Sequence, residues 1–132
     1  MELKKLLVNG IEYEFVCVSS GTRTGFKHSV SLFSKNQLIN EGVCHYINRT
    51  WERFSFQTAM LTAVRNELDY IKTRLLYRIK TDNSYTKMTD KRNQEFEKVL
   101  QNDSSFIELH ALYDVISDYD KYYSAINYEG SK

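Results

Sequence analysis

The chain has no proline, one tryptophan, two cysteines and five glycines in 132 residues. Without proline there is no proline-rich linker to divide it and no proline kink to break a long helix. The two cysteines, Cys17 and Cys44, lack Cys-x-x-Cys spacing, which points to free buried thiols rather than a disulfide or a metal knuckle. No apolar run approaches the eighteen or so residues of a membrane span. The opening Met-Glu-Leu-Lys-Lys has neither the apolar core nor the cleavage site of a signal peptide, so the expected setting is cytoplasmic, without a membrane partner. There are no internal repeats and no low-complexity segment.

What is present fits one domain. A length of 132 residues suits a single core, and the aromatic share of 14%, with ten tyrosines, exceeds what a core alone needs. The net charge of +1 conceals an uneven layout. Residues 53–92 carry nine Lys/Arg against four Asp/Glu, whereas residues 93–132 carry three against eight. A basic middle followed by an acidic tail argues against uniform nucleic-acid binding.

Residues 3–8 and 11–18 flank Asn9-Gly10, the dipeptide that supplies the positive φ angles of a two-residue hairpin turn. Pairing Val8 with Ile11 sets Leu6 opposite Tyr13 and Lys5 opposite Glu14. Residues 19–25 read as a flexible loop whose hydroxyls and Arg23 resemble an anion cradle only loosely, without a phosphate-loop pattern. Phe26, His28, Val30 and Leu32 alternate on one face of a third strand. A turn near Lys35-Asn36 leads to a fourth strand over 37–47, with Gly42 as a bulge or close-approach point.

Asn48 and Thr50 are suitable helix caps, and Glu52 suits the first turn, so the spacing predicts a helix from about Trp51 to Lys80. Its apolar stripe is Phe56, Met60, Ala63, Val64, Leu68, Ile71, Leu75 and Ile79. Thr89 caps a short helix through Leu100 that buries Phe96, Val99 and Leu100. Ser105 and Glu108 match a capping box for a last helix that buries Phe106, Leu109, Tyr113 and Ile116 and runs to about Ala125. The expected fold is α+β: a four-stranded antiparallel sheet of two hairpins (1–47), covered by one long helix (51–80) and completed by two shorter helices (89–125).

The candidate chemistry is sparse. His28 and His45 fall on adjacent strands close enough to share a site, but alternation turns Cys44 away from His45 and no further ligand is apparent, so neither a metal nor a cofactor is expected. No nucleophile motif occurs, and the expectation is a non-enzymatic protein without catalytic residues. Two charged surfaces remain. One is basic: Arg49, Arg53, Lys72, Arg74, Arg78, Lys80 and Lys87, with Lys91 and Arg92 beyond, suited to phosphates or an acidic partner. The other is the acidic tail: Asp114, Asp118, Tyr119, Asp120, Tyr122 and Tyr123, suited to an arginine-lined groove. The same acids could instead neutralise the basic helix of this fold or of a second copy, as a homodimer.

Gly25-Phe26-Lys27-His28 and the junction Tyr46-Ile47-Asn48-Arg49-Thr50-Trp51-Glu52-Arg53-Phe54 resemble small proteins of bacteriophages and plasmids, in which a Gly-Phe-x-His strand precedes a Tyr-x-Asn-Arg-Thr-Trp-Glu junction and a helix. The likeness covers about residues 21–70. It implies an accessory protein acting in the host cytoplasm on a host defence protein or nucleoprotein complex, with inhibition of a CRISPR Cas nuclease the leading expectation and direct DNA or RNA binding by the basic helix the alternative.

Overall fold

A computed structural model describes residues 1–47 and 56–130. Four strands, β1 (Glu2–Val8), β2 (Ile11–Gly21), β3 (Gly25–Ser34) and β4 (Gln37–Ile47), precede four helices: α1 (Gln57–Asn83), α2 (Asp90–Gln101), α3 (Ser104–Ser117) and α4 (Tyr119–Gly130). The fold is α+β, and the sheet is an antiparallel meander in the order β1-β2-β3-β4. The predicted caps Asn48 and Thr50, the helix start at Trp51, and Arg49 and Arg53 lie outside the described residues.

Turn chemistry sets the register. Asn9 and Gly10 both take positive φ, as do Lys35 and Asn36, so two tight turns fix Val8 opposite Ile11 and Ser34 opposite Gln37. Leu6 faces Tyr13 and Lys5 faces Glu14, as the sequence predicts. Between β2 and β3 the loop is shorter than expected. Thr22 donates its N–H to the Gly25 carbonyl, and Gly25 donates to the Thr22 hydroxyl, so these groups close the turn instead of lining an anion cradle.

Because side chains alternate, one face of the sheet collects Leu6, Tyr13, Phe15, Cys17, His28, Val30 and Leu32, all buried. Onto this face α1 lays Ala59, Met60, Ala63, Val64, Leu68, Ile71 and Leu75, close to the predicted stripe. Gly42 on β4 is the close-approach point: a Cβ there would run into the Ala59 carbonyl oxygen and the Ala63 amide. Asn40 donates to Glu67, and Asn66 donates to the Glu41 carbonyl, which ties the same helix to the same strand. Leu109, Leu112 and Ile116 of α3 complete the core, with Tyr122 of α4.

The C-terminal helices differ from the expectation in three respects. In α2 only Leu100 is buried; Phe96 is half-buried and Val99 is 41% exposed, because the buried stripe follows the 96/100 spacing. The cap of α3 is Asp103, not Ser105: its carboxylate accepts from the Phe106 N–H, and an anion at a helix start is favoured over a hydroxyl. The buried face of α3 is Leu109, Leu112 and Ile116, and Phe106 and Tyr113 are half-buried. Finally, the last helix does not run through to Ala125. It stops at Ser117, Asp118 adopts extended backbone, and its carboxylate accepts from the Lys121 N–H to start α4.

Candidate functional site

The acidic tail does not form one surface. Asp114 pairs with His110 on α3 at 3.3 Å, Asp118 is held in the corner as the cap of α4, and Asp120 lies in the first turn of α4 beside the β1 end of the sheet. Tyr122 is only 5% exposed. Its hydroxyl points at the Met60 sulfur, 3.5 Å away, and burial raises its pKa, with Cys17, Tyr123 and Glu2 adding to the rise. Tyr119 and Tyr123 are exposed, but their rings lie against each other at 4.6 Å. Of the six residues predicted as one patch, one is core and one is a structural cap.

The basic helix also divides. Lys72 and Arg74 are two positions apart, hence about 200° apart around the axis. Lys72 faces a groove between α1, α2 and α3, where its ammonium lies 5.8 Å from the Phe106 ring. This groove, about 770 Å³, has a floor of Leu68, Leu100 and Phe106 and a rim of Arg65, Glu97 and the His110–Asp114 pair. It thus brings Lys72 and Asp114 together from the two predicted surfaces. It offers a charged rim over an apolar floor.

Arg74 instead stacks near the Tyr70 ring, 5.6 Å away, and Tyr77 follows two turns after Tyr70. Tyr70 is 55% exposed and Tyr77 72%, so an aromatic and cationic ridge runs along the outer side of α1 with Arg78 at its shoulder. The ridge continues into the α1–α2 turn. There the Arg92 guanidinium sits 3.9 Å over the Tyr85 ring and donates to the Lys87 carbonyl, holding Lys87 at the surface. Lys80 stands half-buried in the last turn of α1.

Among the described residues the ion pairs are Lys4–Glu2, Lys5–Glu14 and His110–Asp114. None involves Lys72, Arg74, Arg78, Lys80, Lys87, Lys91 or Arg92. Among the described residues, no carboxylate of the acidic tail forms an ion pair with these cations.

No protein-family model, curated protein or solved structure matches this chain.

The histidines do not converge. His28 faces Cys44 across the β3–β4 ladder on the covered side of the sheet, its ring edge-on to Phe56 at 4.5 Å, whereas His45 stands beside Lys27 on the opposite side. The expected His28–His45 proximity fails for this reason: direct partners share a face, and these two are one register step apart. No group of three metal-ligating side chains occurs among the described residues. Nor does any described helix have the length and apolarity to cross a membrane.

Sequence reading missed Tyr70, Tyr77 and Tyr85 as surface residues. The signal was available: Tyr70 and Tyr77 fall off the apolar stripe of α1, seven residues apart, with Arg74 between them.

Proposed function

We propose that this chain is a non-enzymatic accessory protein of a phage or mobile element that blocks a host defence nucleoprotein complex, of the CRISPR Cas nuclease kind, by laying the outer ridge of α1 and the α1–α2 turn against its nucleic acid. The observation that carries this reading is the ridge itself, on which Tyr70 and Tyr77 alternate with Arg74 and Arg78, and among the described residues no carboxylate forms an ion pair with these cations. Unpaired guanidinium groups exchange condensed counterions for phosphates at little desolvation cost, and exposed phenol rings stack on unpaired bases. Such bases are available in a nucleoprotein machine that opens a duplex.

The resemblance of the residue 46–54 junction to phage and plasmid proteins supports the biological setting. Dispersal of the tail acids moves the contact surface to the ridge, since Tyr122 is buried and Asp118 is engaged as a cap.

The same ridge favours a second reading, direct binding of DNA or RNA with no protein target. A gel shift with single- and double-stranded DNA and RNA at two salt concentrations separates them. Tight, steeply salt-dependent binding to naked nucleic acid favours the second reading. Weak binding to naked nucleic acid, together with capture of a defence complex from a CRISPR-bearing lysate by the tagged chain, favours the first.

A further inference from the structure

Another cleft, of about 430 Å³, opens where the β1–β2 and β3–β4 turns meet α1 and the start of α3. Small-molecule sites occupy ~300–1,000 Å³, so its size suits a small ligand. Its floor is apolar, formed by Ile11, Ile39, Ile71 and Leu109. Set among them is Tyr13, only 3% exposed and held in register between Leu6 and Ser34. Among the described residues the Tyr13 hydroxyl makes no hydrogen bond. A buried hydroxyl ordinarily finds a partner in its own chain, and here the side left open to it is the cleft.

The walls carry opposite charges that do not meet. Arg74 stands on the α1 wall and Glu108 on the α3 wall, and among the described residues neither forms an ion pair. The other carboxylate of the cleft, Glu67, is engaged by the Asn40 amide at 3.1 Å. Burial, with a contribution from Glu108, pushes the Tyr13 phenol up to about 12, so the hydroxyl keeps its proton at neutral pH. Glu108 and the Tyr13 oxygen thus offer two acceptors close to each other, whereas Arg74 offers only donors. A ligand of one sign would suit one wall and be repelled by the other. A zwitterion suits both, and the apolar floor between them suits a hydrocarbon side chain.

We propose that this cleft binds a free α-amino acid with an apolar side chain, its ammonium between the Glu108 carboxylate and the Tyr13 oxygen, its carboxylate on the Arg74 guanidinium, and its side chain over Ile39, Ile71 and Leu109. Each charged end then makes charge-assisted hydrogen bonds, and the orphaned hydroxyl acquires a partner. The site needs neither nucleic acid nor a defence complex, so it stands independently of the function proposed above.

Isothermal titration calorimetry of the full chain with L-leucine tests it, alongside two probes that each lack one charge, L-leucinamide and isocaproate. L-leucine should bind, and each probe should bind at least about tenfold more weakly. Tyr13→Phe should weaken L-leucine by about tenfold. Without ligand the same variant should melt no lower than the wild type, because the hydroxyl has no partner in the chain to lose, and a purely structural tyrosine would not show that split. Glu108→Gln should weaken L-leucine and leave isocaproate unchanged. No binding of L-leucine, L-isoleucine, L-valine or L-phenylalanine at millimolar concentration would overturn the proposal, as would isocaproate binding as tightly as L-leucine. Affinity indifferent to both substitutions would do the same. If Tyr13→Phe does not fold, Glu108→Gln decides, because Glu108 is an exposed residue.

Discussion

Gly42 controls how closely α1 lies on the sheet, since the Ala59 carbonyl and Ala63 amide occupy the space that any side chain there would need. Gly42→Ala must push backbone from backbone, and the expected loss is at least ~2 kcal/mol in a denaturant titration. The opposite sign is expected at the end of the same helix. Ser84 closes α1 at φ 57°, in the left-handed region that glycine adopts without strain, while the Tyr85 N–H caps the Lys80 carbonyl. Ser84→Gly should therefore stabilise the protein, by roughly 0.5–1 kcal/mol in the same assay.

Buried titratable groups give a third expectation at this scale. Burial pushes the Cys17 thiol up from 9.0 to about 11 and the Tyr13 phenol up from 10.0 to about 12, the latter with help from Glu108. Both groups are neutral in either state below pH ~9, so their contribution is fully present there. Above it the unfolded chain ionises first, and stability falls as pH rises from about 9 through 12. Thermal midpoints measured across that window should drop, and Cys17→Ala should flatten the lower part of the slope. A midpoint that stayed level would mean that these groups are more solvated than their burial indicates.

At the scale of elements, the α3–α4 corner depends on Asp118, whose carboxylate caps α4 and whose N–H donates to the Asp114 carbonyl. Asp118→Ala should lower stability by about 0.5–2 kcal/mol and raise hydrogen exchange in α4 while sparing α1. Substitution without that local loss would place the corner's stability elsewhere. The sheet and α1 were legible in the sequence because their signals are local and mutually consistent: Asn9-Gly10, alternation from Phe26 to Leu32, and a stripe from Met60 to Leu75. The corner at Asp118 was not, because Ser117-Asp118 is a cap signal that no glycine or proline reinforces, and the apolar spacing carries on past it to Tyr122. Competing caps two residues apart account for the start of α3. Asp103 and Ser105 both suit a helix start, and the carboxylate wins because the helix N-terminus favours an anion.

At the scale of the molecule, charge is arranged by helix geometry rather than by sequence segment. The contrast between a basic middle and an acidic tail suggested two patches facing each other or a partner. Folding instead sends Lys72 to one flank of α1 and Arg74 with Arg78 to the other, and it withdraws Tyr122 into the core. The individual residue types were readable, but their grouping depended on which flank of α1 the later helices cover, a long-range property. What remains facing outward is the ridge, and salt is the variable that reports on it. If phosphates are its ligand, the affinity of the captured complex for this chain should fall as salt rises, more steeply than for a variant lacking Arg74 and Arg78.

The ridge is tested most directly by quantitative capture from a CRISPR-bearing bacterial lysate, comparing the tagged wild-type chain with Arg74→Glu/Arg78→Glu and with Asp114→Asn/Asp120→Asn, all matched for folding by circular dichroism. The wild type and the acid-neutralised variant should recover a defence nucleoprotein complex to similar extents, and the charge-reversed ridge should lose it at least about tenfold, as expected when phosphate contacts are replaced by repulsion. Recovery of no defence component by the wild type, or equal recovery by the charge-reversed ridge, would contradict the proposal.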